Sequence, residues 1–376
     1  MALFHTLFCI LLVVLCCVSL NGGDAVGAVS DAAADVGEAI RVNATGRHDD
    51  DKAGGDVETN LPCPEAESIS PCLCTSDGSY TMYMDCSAVE SEKQLASIMS
   101  QKFPFPGFYS LVIKNNDNLK VLRSGALGVN TFQEFHITDG ALQEVEVGAL
   151  SGSYSTTTIL DFNNNYITSF PWERISSFIS LETLSARSNF IALFPTLVSN
   201  SLAYLDLSNN PMGSMPVTAF INTPALKEIY IREIGIYNLP SGTFFGHPHL
   251  STLQLSFNNL GQLTEGAVQM GAGKTKVYLN NNMISNVAAN SFSGLISGDF
   301  VYLYSNELTE LVEEVWQPLI MFGVYLDFRF NPLTCGCDIA WIVLNPSILS
   351  HIDSDTTCSN GQFIVDLDPA IYEKEC

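Results

Sequence analysis

The sequence predicts an α/β fold built as a solenoid, a curved horseshoe of about ten coils with a parallel sheet on its concave side and a cysteine-rich cap at each end. Three observations predict it. An eleven-residue pattern with fixed apolar places recurs ten times, at spacings of 21 to 25 residues. Of eleven cysteines, Cys9, Cys16 and Cys17 lie in an apolar leader, while four of the other eight precede the repeats and four follow them. The composition, 47% hydrophobic and 15% charged, is that of a chain with a core. Its net charge of −24, from 40 acids against 16 bases, argues against binding nucleic acid. Affinity for a phosphate backbone comes from Lys and Arg displacing counterions.

The elements follow in chain order. From Leu7 to Leu20 the sequence LFCILLVVLCCVSL carries no charge over fourteen residues. A bilayer-spanning helix needs about 20 apolar residues, so this run is too short to be one. Small residues follow (Ser19, Gly22, Gly23, Ala25), and residues 1–25 are expected to be a secretory signal cleaved after Ser19 or Ala25. No later segment is apolar enough to span a membrane and no hydrophobic tail suggests a lipid anchor, so no membrane anchor is expected. Residues 26–62 are expected to be a disordered acidic linker. Positions 24–62 hold nine acids, three bases and almost no large apolar residue, too little apolar surface to offset ordering entropy. The linker holds Asn43-Ala44-Thr45, the one N-x-S/T glycosylation acceptor, because Asn345 is followed by Pro346. The run Asp49-Asp50-Asp51-Lys52 reads as solvated charge in preference to a processing site.

Residues 63–107 form the first cap, with Cys63, Cys72, Cys74 and Cys86 separated by 8, 1 and 11 residues. Ser91-Glu92-Lys93-Gln94 has the form of a capping box. A helix should follow, with Leu95, Ile98 and Met99 on one face and Phe103-Pro104 ending it.

Residues 108–334 carry the pattern L-x-x-L-x-L-x-x-N-x-L, starting at Phe108, Phe132, Thr157, Leu181, Leu202, Leu226, Leu250, Lys274, Gly298 and Gly323. The sixth position is always apolar. The ninth is Asn in eight coils (Asn116, Asn165, Asn189, Asn210, Asn258, Asn282, Asn306 and Asn331), with Gly140 and Ile234 as exceptions. This is the leucine-rich repeat. Strand side chains alternate faces, so the fourth and sixth positions point into the coil. The ninth-position amide both donates and accepts, which suits a buried ladder serving backbone groups where the strand turns. These asparagines are structural. Convex segments containing Ala126-Leu127, Ala149-Leu150, Ala219-Phe220, Phe244 and Phe292 should fill the coil interior. One coil cannot bury enough surface to fold by itself, so the array is a single cooperative unit whose open ends need caps.

Residues 335–376 form the second cap, with Cys335, Cys337, Cys358 and Cys376 separated by 1, 20 and 17 residues. Asp338 should start a short helix that Pro346 stops, with Trp341 plugging the last coil. Four cysteines allow three disulfide connectivities in each cap. Zinc is the competing reading, but gaps of 8 and 20 suit finger spacing poorly and His351 is the one nearby histidine, so no metal is expected.

Three further motifs carry no chemistry. Gly271-Ala272-Gly273-Lys274-Thr275 resembles the end of a phosphate-binding loop, but Val268 replaces the first glycine and a strand follows where that motif opens a helix. His247-Pro248-His249 reads as a convex turn, since Pro248 breaks any helix and no third ligand is near. No serine sits in a G-x-S-x-G elbow. Strand carboxylates are expected to face solvent. No catalytic residue and no cofactor is assigned.

The stretches PCLCTSDGSYTMYMDCSAVESEKQLA (71–96), FPFPGF (103–108), NPLTCGCDIAWIVLN (331–345) and VDLDPAIYEKEC (365–376) resemble the oplophorus-luciferin 2-monooxygenase non-catalytic subunit family of secreted crustacean proteins. The resemblance covers residues 63–376. It implies a leucine-rich-repeat partner of a small light-emitting catalytic subunit in a secreted complex, itself non-catalytic. Family precedent further implies the pairs Cys63–Cys74, Cys72–Cys86, Cys335–Cys358 and Cys337–Cys376. It identifies no partner-binding residue.

The expected function is a secreted scaffold for another secreted protein. The alternative is a soluble recognition receptor for microbial or host ligands. The concave face presents the fifth, seventh and eighth repeat positions, which in the later coils are Tyr230, Arg232, Phe257, Tyr278, Tyr302, Tyr304, Arg329 and Phe330. Tyr and Arg are enriched at binding hot spots because they join large contact area to a polar handle. The C-terminal half of this face is therefore the expected partner site, with packing among the aromatics themselves as the other reading.

Overall fold

The computed structural model describes residues 62–271 and 273–376, so the leader, most of the linker, Asn43 and the Asp49–Lys52 run lie outside it. A hairpin, β1 (Leu73–Ser76) antiparallel to β2 (Met82–Asp85), begins the sheet. Then come ten parallel strands, one for each coil. They are β3 (Gly107–Lys114), β4 (Thr131–Thr138), β5 (Ile159–Asp161), β6 (Thr183–Ser185), β7 (Tyr204–Asp206), β8 (Glu228–Tyr230), β9 (Thr252–Gln254), β10 (Lys276–Tyr278), β11 (Phe300–Tyr302) and β12 (Tyr325–Asp327). All twelve stand in sequence order in one sheet. Register is by repeat position, so Glu228 lies opposite both Tyr204 and Thr252.

Burial follows the alternation. Every fourth- and sixth-position residue, from Leu111 and Ile113 to Leu326 and Phe328, is no more than 2% exposed. The convex fillers Ala126, Leu127, Ala149, Leu150, Ala219, Phe220, Phe244 and Phe292 are buried behind them. Phe220 and Phe244 stack at 5.6 Å in consecutive coils. His247 is buried on the same side, its ring nitrogens each 3.0 Å from the carbonyls of Phe220 and Phe244, which ties two coils together.

The eighth position is the bend. In all ten coils it has positive φ, between 52° and 59°, at Asn115, Asp139, Asn164, Ser188, Asn209, Glu233, Phe257, Asn281, Ser305 and Phe330. The chain turns there and delivers the ninth side chain into the coil. Asn282 is representative: Nδ2 donates to Leu255 O in the preceding coil at 3.1 Å and to Leu279 O in its own at 3.0 Å. Its Oδ1 accepts from Leu260 N at 3.1 Å. Asn165, Asn189, Asn210, Asn306 and Asn331 repeat this arrangement. Asn116 instead bridges to the first cap through Ser87 O and Val89 O. At Gly140 the rung is missing because there is no room for one: a Cβ would stand 2.8 Å from Asn116 O.

The caps close both ends. Cys63–Cys74 and Cys72–Cys86 bond in the first, Cys335–Cys358 and Cys337–Cys376 in the second. Ser91 caps the helix Glu92–Met99 by accepting from Gln94 N, with Leu95, Ile98 and Met99 buried. The Gln94 side chain reaches Glu90 N, one residue before the usual capping-box partner. The second cap departs from expectation. The expected short helix is there, as a 3-10 turn Cys337–Ile339 running into Ala340–Val343, but Asp338 does not cap it; its carboxylate accepts from Leu311 N at 3.1 Å and ties the cap to the ninth coil. Pro346 opens the short helix Pro346–Leu349, because its fixed φ suits a first turn. Trp341 is half-buried and donates Nε1–H to Leu311 O at 3.0 Å. Trp316, on the helix Glu313–Met321, is the tryptophan sealed in the core.

Candidate partner-binding surface

The same register that stacks the core also stacks the exposed side chains, so the concave face is built of rows. In the C-terminal coils, Tyr278 and Tyr302 stack at 4.7 Å with ring planes 8° apart. The stack continues through Phe300 to Tyr325 (5.1 Å) and from Tyr325 to His351 of the cap (5.0 Å). Their faces are spent on one another, which leaves ring edges for a partner. Tyr230 lies on Tyr204 at 5.1 Å and donates its hydroxyl to Glu228 at 2.7 Å. Burial first, then neighbouring carboxylates, raise Tyr230, Tyr302 and Tyr304 above the ordinary phenol range. They remain neutral O–H donors at physiological pH.

Both arginines are held by acids. Arg232 pairs with Glu233 at 2.9 Å and lies 4.3 Å over the Phe257 ring. Arg329 makes a two-point bond to Asp327, at 2.7 and 2.9 Å, and lies 5.7 Å from the Tyr304 ring. The structure thus groups Tyr278 with Tyr302, Arg232 with Phe257, and Tyr304 with Arg329. Phe257 and Phe330 differ from the rest. They occupy the left-handed eighth position, where the other eight coils have Asn, Asp, Ser or Glu, and are 43% and 68% exposed. A bulky residue there costs about 1–2 kcal/mol.

The N-terminal half is charged. Burial would lower the His136 pKa, but hydrogen bonds and charges from Asp161 and Glu134 raise it to about 9. Glu134 is the closer, at 3.0 Å from Nε2; Asp161 is 3.6 Å from Nδ1. The expectation that strand acids face solvent fails at Asp206 and Asp327, which are 7% and 5% exposed. Asp206 accepts from Ser208 N, and burial raises its pKa. Sequence reading also missed Tyr204, Phe300 and Tyr325, which share the third repeat position, and His351. The signal was their common offset from each repeat start. Among the described residues no group of three His, Cys, Asp or Glu is placed to hold a metal, and no helix is long and apolar enough to cross a membrane.

Comparison with known proteins places this geometry. The leucine rich repeat family matches residues 200–260. The Oplophorus-luciferin 2-monooxygenase non-catalytic subunit of Oplophorus gracilirostris is 36% identical over 323 residues, covering 84% of this chain and 89% of that protein. Podocan-like protein 1 of Homo sapiens is 29% identical over 208 residues, covering 54% of this chain and 40% of that protein. Among solved structures, a chain of the octameric complex of Latrophilin 3, Unc5D and FLRT2 is similar in fold. It superposes with a TM-score of 0.59 at 18% identity, over 76% of this chain and 87% of that one.

Proposed function

This chain belongs to the family of the oplophorus-luciferin 2-monooxygenase non-catalytic subunit, and from that premise we propose that it is an extracellular, non-catalytic scaffold holding a secreted protein partner on the C-terminal half of its concave face. The four disulfides suit an oxidising compartment. The partner favoured by the family is a small catalytic subunit of luciferin monooxygenase type.

One observation carries the placement of the site. Phe257 and Phe330 accept a left-handed backbone and stay exposed, Phe257 with Arg232 over its ring, where the repeat ordinarily spends a polar residue. Backbone strain that folding does not require is a mark of function. Three coils separate them, so at roughly 4.8 Å per strand the two rings stand about 14 Å apart across the face. Tyr278, Tyr302 and Tyr304 belong to the eighth and ninth coils, which lie between theirs.

The test is co-secretion with such a catalytic subunit, followed by purification through a tag on this chain. A stoichiometric complex, lost in Phe330→Ser with Tyr302→Ala while the variant remains folded, is expected. Failure to form the complex, with glycans bound in its place, would favour a recognition receptor.

A further inference from the structure

An open cleft of about 590 Å³ lies beside the fourth to sixth coils, where the chain leaves the strands and bends. Departures from the repeat create it. Ile234 stands at a ninth position, where eight coils have Asn. Gly213 and Gly235 face each other across consecutive coils; a Cβ at Gly235 would lie 3.6 Å from Gly213 Cα. Two side-chain places are therefore left blank. Preceding coils fill the tenth position with Tyr166 and Phe190, which stack at 5.7 Å and are each more than half exposed, and then with Pro211. At Gly235 this ridge stops, leaving Phe190 and Pro211 as apolar lining.

The polar groups of the cleft are unevenly spent. The amides of Asn189 and Asn210 are used in the ladder. What remains is acceptor capacity. Glu233 Oε1 takes two bonds from Arg232 and Oε2 takes one from Asn209 Nδ2 at 3.0 Å, so Oε2 has one lone pair left. Apolar lining, an exposed aromatic ring and that remaining carboxylate lone pair together suit a planar cation that can stack and donate an N–H bond. The net charge of −24 favours approach of a basic protein.

We propose that this cleft receives an arginine side chain of the protein partner, its guanidinium lying against Phe190 and donating to Glu233 Oε2. The inference rests on the scaffold reading above. It extends the proposed face through Glu233, which lines the cleft and also pairs with the arginine lying over Phe257.

The experiment uses the full secreted chain and the probe N-acetyl-arginine-N-methylamide, with the lysine analogue as comparison, in saturation-transfer NMR. Gly213→Asn plugs the cleft: no atom lies within 4 Å of its Cβ, and Asn tolerates the left-handed backbone found there. Glu233→Gln removes the charge, and Tyr80→Asn, at an exposed tyrosine of the first cap, is the control outside the cleft and the binding face. Thermal unfolding verifies that each variant is folded. The proposal expects a signal from the arginine probe in wild type and in the tyrosine variant, weakened roughly fivefold or more in both cleft variants. No signal in wild type, or an undiminished one in Gly213→Asn, overturns it. Co-secretion with the catalytic subunit separates the two readings. Gly213→Asn should weaken the complex about tenfold and the probe should compete for it. If the probe binds but the complex is indifferent to the plug, the cleft serves a free guanidinium ligand and the proposal falls while the scaffold reading stands. If the wild type forms no complex, the scaffold reading falls and takes this proposal with it.

Discussion

Replacing Asn258 with Leu should cost about three times what the same change costs at Asn282. Asn258 Oδ1 accepts from three backbone amides, Ile234 at 3.1 Å, Gly235 at 3.0 Å and Ile236 at 3.3 Å. They converge because Gly235, at φ +81°, curls the chain around that oxygen. Nδ2 donates to Ile231 O and Leu255 O, both at 2.9 Å. In the variant Leu255 O keeps its bond from Asn282, but Ile231 O loses its donor and the three amides lose their acceptor; Ile231, Ile234 and Ile236 are buried. Each buried orphan costs about 1–3 kcal/mol, so the loss is about 3–9 kcal/mol. At Asn282 only Leu260 N is orphaned, since Leu255 O and Leu279 O keep bonds from Asn258 and Asn306. That loss is about 1–3 kcal/mol. Denaturant unfolding of both secreted variants gives the difference, and hydrogen exchange locates it: amides 234–236 should lose protection in Asn258→Leu alone. An equal or larger cost at Asn282 would refute the accounting.

Three other outcomes are expected. His136 carries a folded-state pKa near 9, above the ordinary value of 6.5, so its stabilisation is full below about pH 6.5 and fades as pH rises through 9. His136→Gln should therefore destabilise at pH 6 and have little effect at pH 10, by thermal unfolding at both. Restoring the repeat consensus with Gly140→Asn should destabilise by about 1–3 kcal/mol, because its Cβ would crowd Asn116 O at 2.8 Å; a rise in melting temperature would contradict this. Deleting Cys376 opens the bond to Cys337, which spans 39 residues, and should cost about 2–4 kcal/mol and lower secreted yield. Mass mapping should then find Cys337 as a free thiol.

The coils were legible because their signal is periodic: fourth and sixth apolar residues ten times over, with a ninth Asn in eight of the ten coils, leave one register. Backbone conformation is not written in that pattern. The left-handed eighth position shows only as a run of Asn, Asp and Ser before the ladder residue, and Phe257 and Phe330 stand out only once that bend is known. Nor does strand alternation tell which outward groups are covered. Asp206 and Asp327 alternate outward in sequence but are buried, a matter of neighbours 20 to 25 residues away. Gly213 and Gly235 look like ordinary turn glycines until stacking sets them face to face.

The central claim is that the C-terminal concave half gives up stability to bind a protein, and Phe257→Asn with Phe330→Asn tests it most directly. Asn relaxes in the left-handed region, so each exchange should recover part of the roughly 1–2 kcal/mol that a bulky side chain costs there. Thermal unfolding and affinity for the catalytic subunit are measured on the same preparation. The account predicts a higher melting temperature together with affinity weaker by about tenfold or more. An unchanged affinity, with the double variant folded, would contradict it.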